Sequence, residues 1–334
     1  MKNNIVVLGG GSWGTAIAKL LSENGHSTTL WVRKEENACE IDKHKENKKY
    51  LPEISLPDTL RVTSDIKASI ESATMIVLAI PTQQIRAVLN EFKSFIDQEA
   101  VIVNLSKGLE KETLMRVSEI TKEILPDNPF VVLSGPSHAE EVALKMPTTV
   151  VAACFEETHS KLIQDIFMNE YFRVYTNKDV VGVEIGGALK NVIALAAGVS
   201  DGLGFGDNTK AAIINRGIQE ISRLAEVMGA DKLTFLGLSG IGDLIVTCTS
   251  MHSRNRRAGI LIGKGQTKEE AVKEVGMVVE GILTTHAAYQ LSRKLSVDMP
   301  IVTELYDVLY NNGKASEAVE KLMNRGKKNE TDRM

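Results

Sequence analysis

An α/β domain with a mostly parallel sheet over residues 1–178, followed by an all-α domain over 179–328, is the fold this sequence predicts. Three observations predict it. The chain opens on an apolar run, Ile5-Val6-Val7-Leu8, that passes directly into Gly9-Gly10-Gly11-Ser12-Trp13-Gly14. Short β-branched runs then alternate with helical patterns, as parallel strands joined by helices require. Beyond about residue 178 the strand signals stop and long helical patterns take over. A length of 334 residues also favours two domains.

The first strand is 4–8, and Gly9, Gly11 and Gly14 after it have the G-x-G-x-x-G spacing. The first glycine permits a tight turn, the second lets backbone approach a pyrophosphate, and the third lets helix pack on strand. Unpaired amides at the start of the next helix, 12–24, then face the anion. With a second strand at 28–32, the arrangement reads as a Rossmann-type dinucleotide-binding domain. Further strands are expected at 75–80, 101–105, 130–133, 148–153 and 172–175, and helices at 82–95, 113–124, 137–144 and 158–168. Pro81 ends one strand and Ser106-Lys107-Gly108 another; ligands of open α/β sheets bind at these carboxyl ends.

In the second half the helical patterns cover 181–199, 208–228, 254–263, 268–275, 281–295, 300–311 and 315–325. The first is apolar enough to raise a membrane question. Glu184, Lys190 and Asn191 interrupt it, and charge is costly in hydrocarbon, so a buried helix without a membrane anchor is expected.

The net charge of −4 argues against a nucleic-acid partner, so an anionic ligand needs a local positive cluster. Cys39, Cys154 and Cys248 are odd in number and widely spaced, which suits a reducing compartment and not a disulfide framework. No His/Cys/carboxylate set has the spacing of a metal site. With a strand beginning almost at the first residue, the expected location is the cytoplasm. The long apolar helices of the second half suit a homodimer, and they suit an internal core equally well.

Several residues carry possible chemistry. Arg33 follows the second strand, where it either accommodates a 2′-phosphate, favouring NADP(H) over NAD(H), or is simply solvated. Lys107 is either a surface lysine or a ligand-side one. Ser137, in Ser134-Gly135-Pro136-Ser137-His138-Ala139, either caps a helix or joins a rigid backbone near the cofactor end. Lys190 lies in Glu184-Ile185-Gly186-Gly187-Ala188-Leu189-Lys190-Asn191, with the glycines one turn earlier expected to leave open space beside it. It either snorkels to the surface or polarises and protonates a substrate carbonyl oxygen. Asp243, after Gly240-Ile241-Gly242, caps a helix, binds a substrate hydroxyl or orients a lysine. Ser253-Arg254-Asn255 opens a helix and offers donors suited to a phosphate, or else a solvated basic face.

The segments GGGSWGTA, NLSKGLE, LSGPSHAEEV, EIGGALKNVIALAAG, LSGIGDLIVTC, SRNRR and VVEG run in order from residue 5 to about 285. Together they resemble the soluble NAD(P)-dependent glycerol-3-phosphate dehydrogenases of bacteria. The resemblance implies reduction of dihydroxyacetone phosphate to sn-glycerol 3-phosphate, a phospholipid precursor, with NADP(H) or NAD(H). It implies that Lys190 is the proton donor/acceptor and that Lys107 contacts cofactor and substrate; with Asp243 these are the expected catalytic residues. It places Gly135, Ser137, Asn191, Asp243, Ser253, Arg254 and Asn255 at the substrate. Gly9, Gly11, Ser12, Trp13, Gly14, Arg33, Ala139, Arg254, Val278 and Glu280 fall at the cofactor. Lys107, Lys190 and Arg254 would supply the positive cluster. Related two-domain reductases act on carboxylate substrates, and Ser253-Arg254-Asn255 is the feature that separates them.

Overall fold

The computed structural model describes residues 3–327, 329 and 330. The chain divides into two compact units. One takes the chain up to Lys107 together with Met115–Glu184, and the other takes Gly108–Leu114 and the chain from Ile185 onward. That seven-residue excursion leaves no mark in the hydrophobic pattern.

Among the described residues of the first unit there are ten strands: β1 (Asn4–Leu8), β2 (Ser27–Trp31), β3 (Glu46–Asn47), β4 (Leu51–Ser55), β5 (Arg61–Thr63), β6 (Met75–Leu78), β7 (Val101–Asn104), β8 (Phe130–Ser134), β9 (Thr148–Ala153) and β10 (Phe172–Asn177). Eight form one sheet in the order β10-β9-β8-β7-β6-β1-β2-β5, and β3 pairs with β4 separately. Every pair in the large sheet is parallel except β8 with β9. The mostly parallel α/β architecture expected from the sequence is therefore the observed one.

Apolar side chains line both faces of this sheet. Ile5, Val7, Val77 and Val103 join one buried cluster, and Val6, Leu8, Ile76 and Ile102 join another. Strands covered on both faces need continuous apolar runs, which is why the sequence signal was strong. Four elements had no such signal: β5, the β3–β4 hairpin, and the helices Glu35–His44 and Ile66–Ile70. Two expected helices are shorter. The helix expected at 113–124 is Val117–Ile124, preceded by Leu114 at φ 63° and capped by Arg116 and Glu119. The one expected at 137–144 is Ala139–Ala143.

All the regular secondary structure among the described residues of the second unit is helical. The helix Val180–Gly202 is long and apolar enough to cross a membrane, yet 89% of its most apolar window is buried inside the protein. Glycines bring it against the helix Arg254–Gly263. A Cβ on Gly198 would lie 2.2 Å from the Arg256 carbonyl oxygen, and one on Gly259 would lie 2.2 Å from that of Leu195. Gly202 and Gly263 make the same kind of contact one turn on. Backbone meets backbone there, so no larger residue fits without separating the helices.

Glu220, on the helix Asp207–Val227, is 2% exposed and accepts the main-chain N–H groups of Ile301 (2.9 Å) and Val302 (3.3 Å). It thereby caps the helix Pro300–Tyr310. Burial pushes its carboxyl up to about 7, against 4.5 in the open chain. A raised folded-state pKa favours the protonated form, so this stabilisation is complete below about pH 4.5 and is lost as pH rises through about 7. The variant Glu220→Gln keeps an acceptor and removes the titration. Its melting temperature is expected to gain on wild type between pH 5 and pH 8, by the equivalent of at most about 3 kcal/mol. A constant difference across that range would refute the assignment.

Candidate active site

The sequence-predicted residues form two groups, one in each unit.

In the first unit, the glycine turn shows why each glycine is needed. Gly9 has φ 125°, and a Cβ on it would meet the Ala79 carbonyl oxygen at 2.4 Å. One on Gly14 would lie 2.0 Å from the Gly9 carbonyl oxygen. A Cβ on Gly11 would meet nothing within 4 Å. The outer glycines are thus packing requirements, whereas the middle one borders open space of the kind a pyrophosphate occupies. The helix Ser12–Glu23 starts there with no side-chain cap and no acidic residue in its first turn. Its amide end is left for an anion, and these residues fit a dinucleotide. Trp13 packs, partly buried, on the core. Ser12 donates its hydroxyl to the Tyr50 carbonyl at 2.6 Å. Asn47, which no sequence motif marks, donates its side-chain amide to the Gly10 carbonyl at 2.9 Å. Arg33 is exposed just beyond β2 and pairs with no carboxylate among the described residues.

Lys107 leaves β7 through a fixed loop. The Asn104 amide bonds Ser106 main chain in both directions, at 2.9 and 3.1 Å, and the Ser106 hydroxyl donates to the Ile80 carbonyl at 2.6 Å. The Lys107 ammonium then donates to the Gly135 carbonyl at 3.1 Å. Ser137 donates its hydroxyl to the same carbonyl at 3.0 Å and does not cap the helix, whose N-cap is His138. The capping alternative for Ser137 therefore falls. Lys107, Gly135 and Ser137 are brought together, and Ala139 lies buried at the first position of the short helix that follows.

In the second unit Lys190 is 7% exposed, which removes the snorkelling alternative. Its ammonium pairs with the Asp243 carboxylate, which is fully buried, and donates to the Thr247 hydroxyl at 2.9 Å. Thr247 in turn donates to the Asp243 carbonyl at 2.6 Å. Asp243 and Thr247 are four residues apart on the helix Asp243–Thr249, so they present one face to the lysine. Of the three readings of Asp243, orienting a lysine is what the structure displays. The open space expected beside Gly186 is filled. A Cβ there would stand 2.5 Å from the Ser239 carbonyl oxygen, so the glycine admits the turn that delivers Asp243.

Asn191 accepts from the Asn255 side-chain amide at 2.9 Å, and Asn255 accepts the Gly281 N–H at 2.8 Å. This chain ties Val180–Gly202 to the start of the helix Glu280–Lys294. Glu280 is partly buried at its first position and Val278, two residues earlier, is exposed. Ser253 caps Arg254–Gly263, accepting from the Arg256 N–H at 3.2 Å. Two arginines of this segment differ in role. Arg256 is held by Asp201 at 2.7 Å, whereas Arg254 is exposed at the first helical position. Cys248 is buried beside this group, and burial pushes its thiol up to about 12, which leaves it inert. Among the described residues no three His, Cys, Asp or Glu side chains are placed to hold a metal ion.

Two family descriptions match the chain. That of the NAD-dependent glycerol-3-phosphate dehydrogenase N-terminus covers residues 4–160, and that of the C-terminus covers 179–320. The glycerol-3-phosphate dehydrogenase [NAD(P)+] of Lysinibacillus sphaericus is 55% identical over 99% of this chain and 98% of its own length. The protein of the same name from Bacillus subtilis is 53% identical over 98% and 96%. A crystal structure of glycerol-3-phosphate dehydrogenase from Coxiella burnetii superposes with a TM-score of 0.94 at 38% identity, covering 97% of this chain and 99% of that one.

Proposed function

The chain belongs to the NAD-dependent glycerol-3-phosphate dehydrogenase family, and we propose that it reduces dihydroxyacetone phosphate to sn-glycerol 3-phosphate for glycerophospholipid synthesis. The observation that carries this reading is the buried Lys190 ammonium held by Asp243 and Thr247. The bound nicotinamide of NAD(P)H supplies the hydride for the carbonyl carbon. Lys190 holds a proton at Nζ, offers positive charge to the oxygen as it becomes negative, and releases the proton to it. Asp243 fixes the ammonium and compensates its charge; Thr247 fixes its direction. Ser253, Arg254 and Asn255 hold the phosphate at a helix start, so that its binding energy orients the reacting end. Asn191 secures Asn255. Lys107, Gly135 and Ser137 form a second polar group for substrate, with Lys107 also at the cofactor. Gly9, Gly11, Gly14, Ser12 and Trp13 hold the dinucleotide, joined by Arg33, Ala139, Arg254, Val278 and Glu280. The enzyme is read as cytoplasmic, acting on a small phosphorylated molecule and needing no membrane anchor or nucleic acid.

Oxidation of NADPH followed spectrophotometrically, with dihydroxyacetone phosphate against a panel of keto acids, tests the reading. Preference for a keto acid would overturn it.

Arg33, exposed just beyond β2, supports NADP(H) as the favoured cofactor, with NAD(H) also used. Arg33→Ala is expected to lower kcat/KM for NADPH about tenfold, the effect of losing a charge-assisted phosphate contact, and to leave that for NADH nearly unchanged. An unaltered ratio between the two cofactors would remove the assignment.

A further inference from the structure

We infer that Asn47 is a positioning residue of the dinucleotide site, fixing the direction of the Gly11 main-chain N–H that receives the pyrophosphate. The inference rests on the reading of the glycine turn as the cofactor site. Gly9-Gly10-Gly11 are three consecutive glycines, and the peptide units between them rotate at little steric cost. A loop free to rotate would present its amides in many directions, and ordering it would weaken binding.

Asn47 removes that freedom. It is 2% exposed, and its side-chain N–H groups are donated to the Gly10 carbonyl (2.9 Å) and the Thr15 hydroxyl (2.8 Å). Its own side-chain oxygen accepts the Tyr50 N–H at 3.3 Å, which sets the orientation of the amide. In a planar trans peptide the carbonyl and the following N–H point to opposite sides. Holding the Gly10 carbonyl on Asn47 therefore turns the Gly11 N–H away from Asn47. Gly11 is also the glycine of the motif whose Cβ position is open.

The β3–β4 hairpin carries a second clasp, the Ser12 hydroxyl on the Tyr50 carbonyl at 2.6 Å. A hydroxyl has one proton, so with this bond made the Ser12 side chain does not donate to phosphate. Ser12 serves the cofactor through its main-chain N–H and through the clasp. The hairpin, absent from the hydrophobic pattern, is the brace of the turn.

Calorimetric titration without substrate tests this, using NADPH, ADP-ribose and 2′-AMP on wild type, Asn47→Ala and Asn47→Asp. The isosteric Asn47→Asp keeps the acceptor for Tyr50 and lacks the amide proton for Gly10, so it serves even where Asn47→Ala fails to fold. Both variants are expected to raise the Kd of the two pyrophosphate ligands about tenfold, the loss of one donor to a charged group. The Kd of 2′-AMP, which has no pyrophosphate, should stay within about twofold. NADPH binding at the wild-type level in a folded variant would overturn the inference, as would equal weakening of 2′-AMP. Failure of wild type to bind NADPH would instead overturn the cofactor reading beneath it.

Discussion

Lys190→Ala is expected to lower kcat about 10³-fold or more while leaving NADPH affinity near wild type. Two contributions disappear together. A positioned acid is worth about 10²–10⁴-fold, and loss of a buried donor to a developing oxyanion costs about 10²–10³-fold. They overlap, because one ammonium supplies both, so the product is not expected. Lys190 is not among the residues assigned to the dinucleotide, so cofactor titration should be unaffected. Removing the lysine also takes from the buried Asp243 carboxylate the ammonium that compensates its charge, at roughly 3–5 kcal/mol in stability. Melting curves must therefore accompany the kinetics. The decisive measurement is rescue: a small alkylammonium ion filling the vacated volume should restore turnover in proportion to its concentration. Near-wild-type kcat without it, in a folded variant, would end the assignment.

What the sequence disclosed about this site, and what it withheld, follows from the range of each interaction. Lys190 was conspicuous because a charge inside an apolar helix must be compensated nearby. Its partner was not identifiable, since Asp243 is 53 positions further on and equally suited to three roles. What decided among them was the ion pair itself, made where Gly186 fits the Ser239 carbonyl, a contact no local pattern encodes. Ser137 illustrates the opposite error. A serine before a helical pattern resembles a cap, but the helix starts two residues later and the hydroxyl turns back to Gly135. β5 and the β3–β4 hairpin escaped because runs of two to five residues are too short to show a period. Asn47 escaped with them, although it holds the most recognisable motif in the chain. The first strands were legible for the converse reason, since burial on both faces leaves an unbroken apolar record.

Arg254→Ala should lower kcat/KM for dihydroxyacetone phosphate about a hundredfold and that for unphosphorylated dihydroxyacetone far less, the smaller loss reflecting its contact with the dinucleotide. A charge-assisted, two-pronged guanidinium–phosphate contact is worth about 3 kcal/mol, and at 1.4 kcal/mol per factor of ten that is about two orders of magnitude. The phosphate is remote from the reacting carbonyl, so its binding energy acts by holding the carbonyl in place. Loss is therefore expected in kcat as well as in KM. Stability should hardly move, since Arg254 is exposed at the first helical position while its neighbour Arg256 carries the ion pair with Asp201. This contrast makes Arg256→Ala a useful control: it should lower the melting temperature without discriminating between the two substrates. Equal losses of Arg254→Ala on both substrates would show that the arginine serves the cofactor and not the phosphate. Normal kcat/KM on dihydroxyacetone phosphate would show that it serves neither. Only the phosphate-specific loss ties the Ser253–Asn255 helix start to substrate, and with it the choice of a phosphorylated ketone over a keto acid.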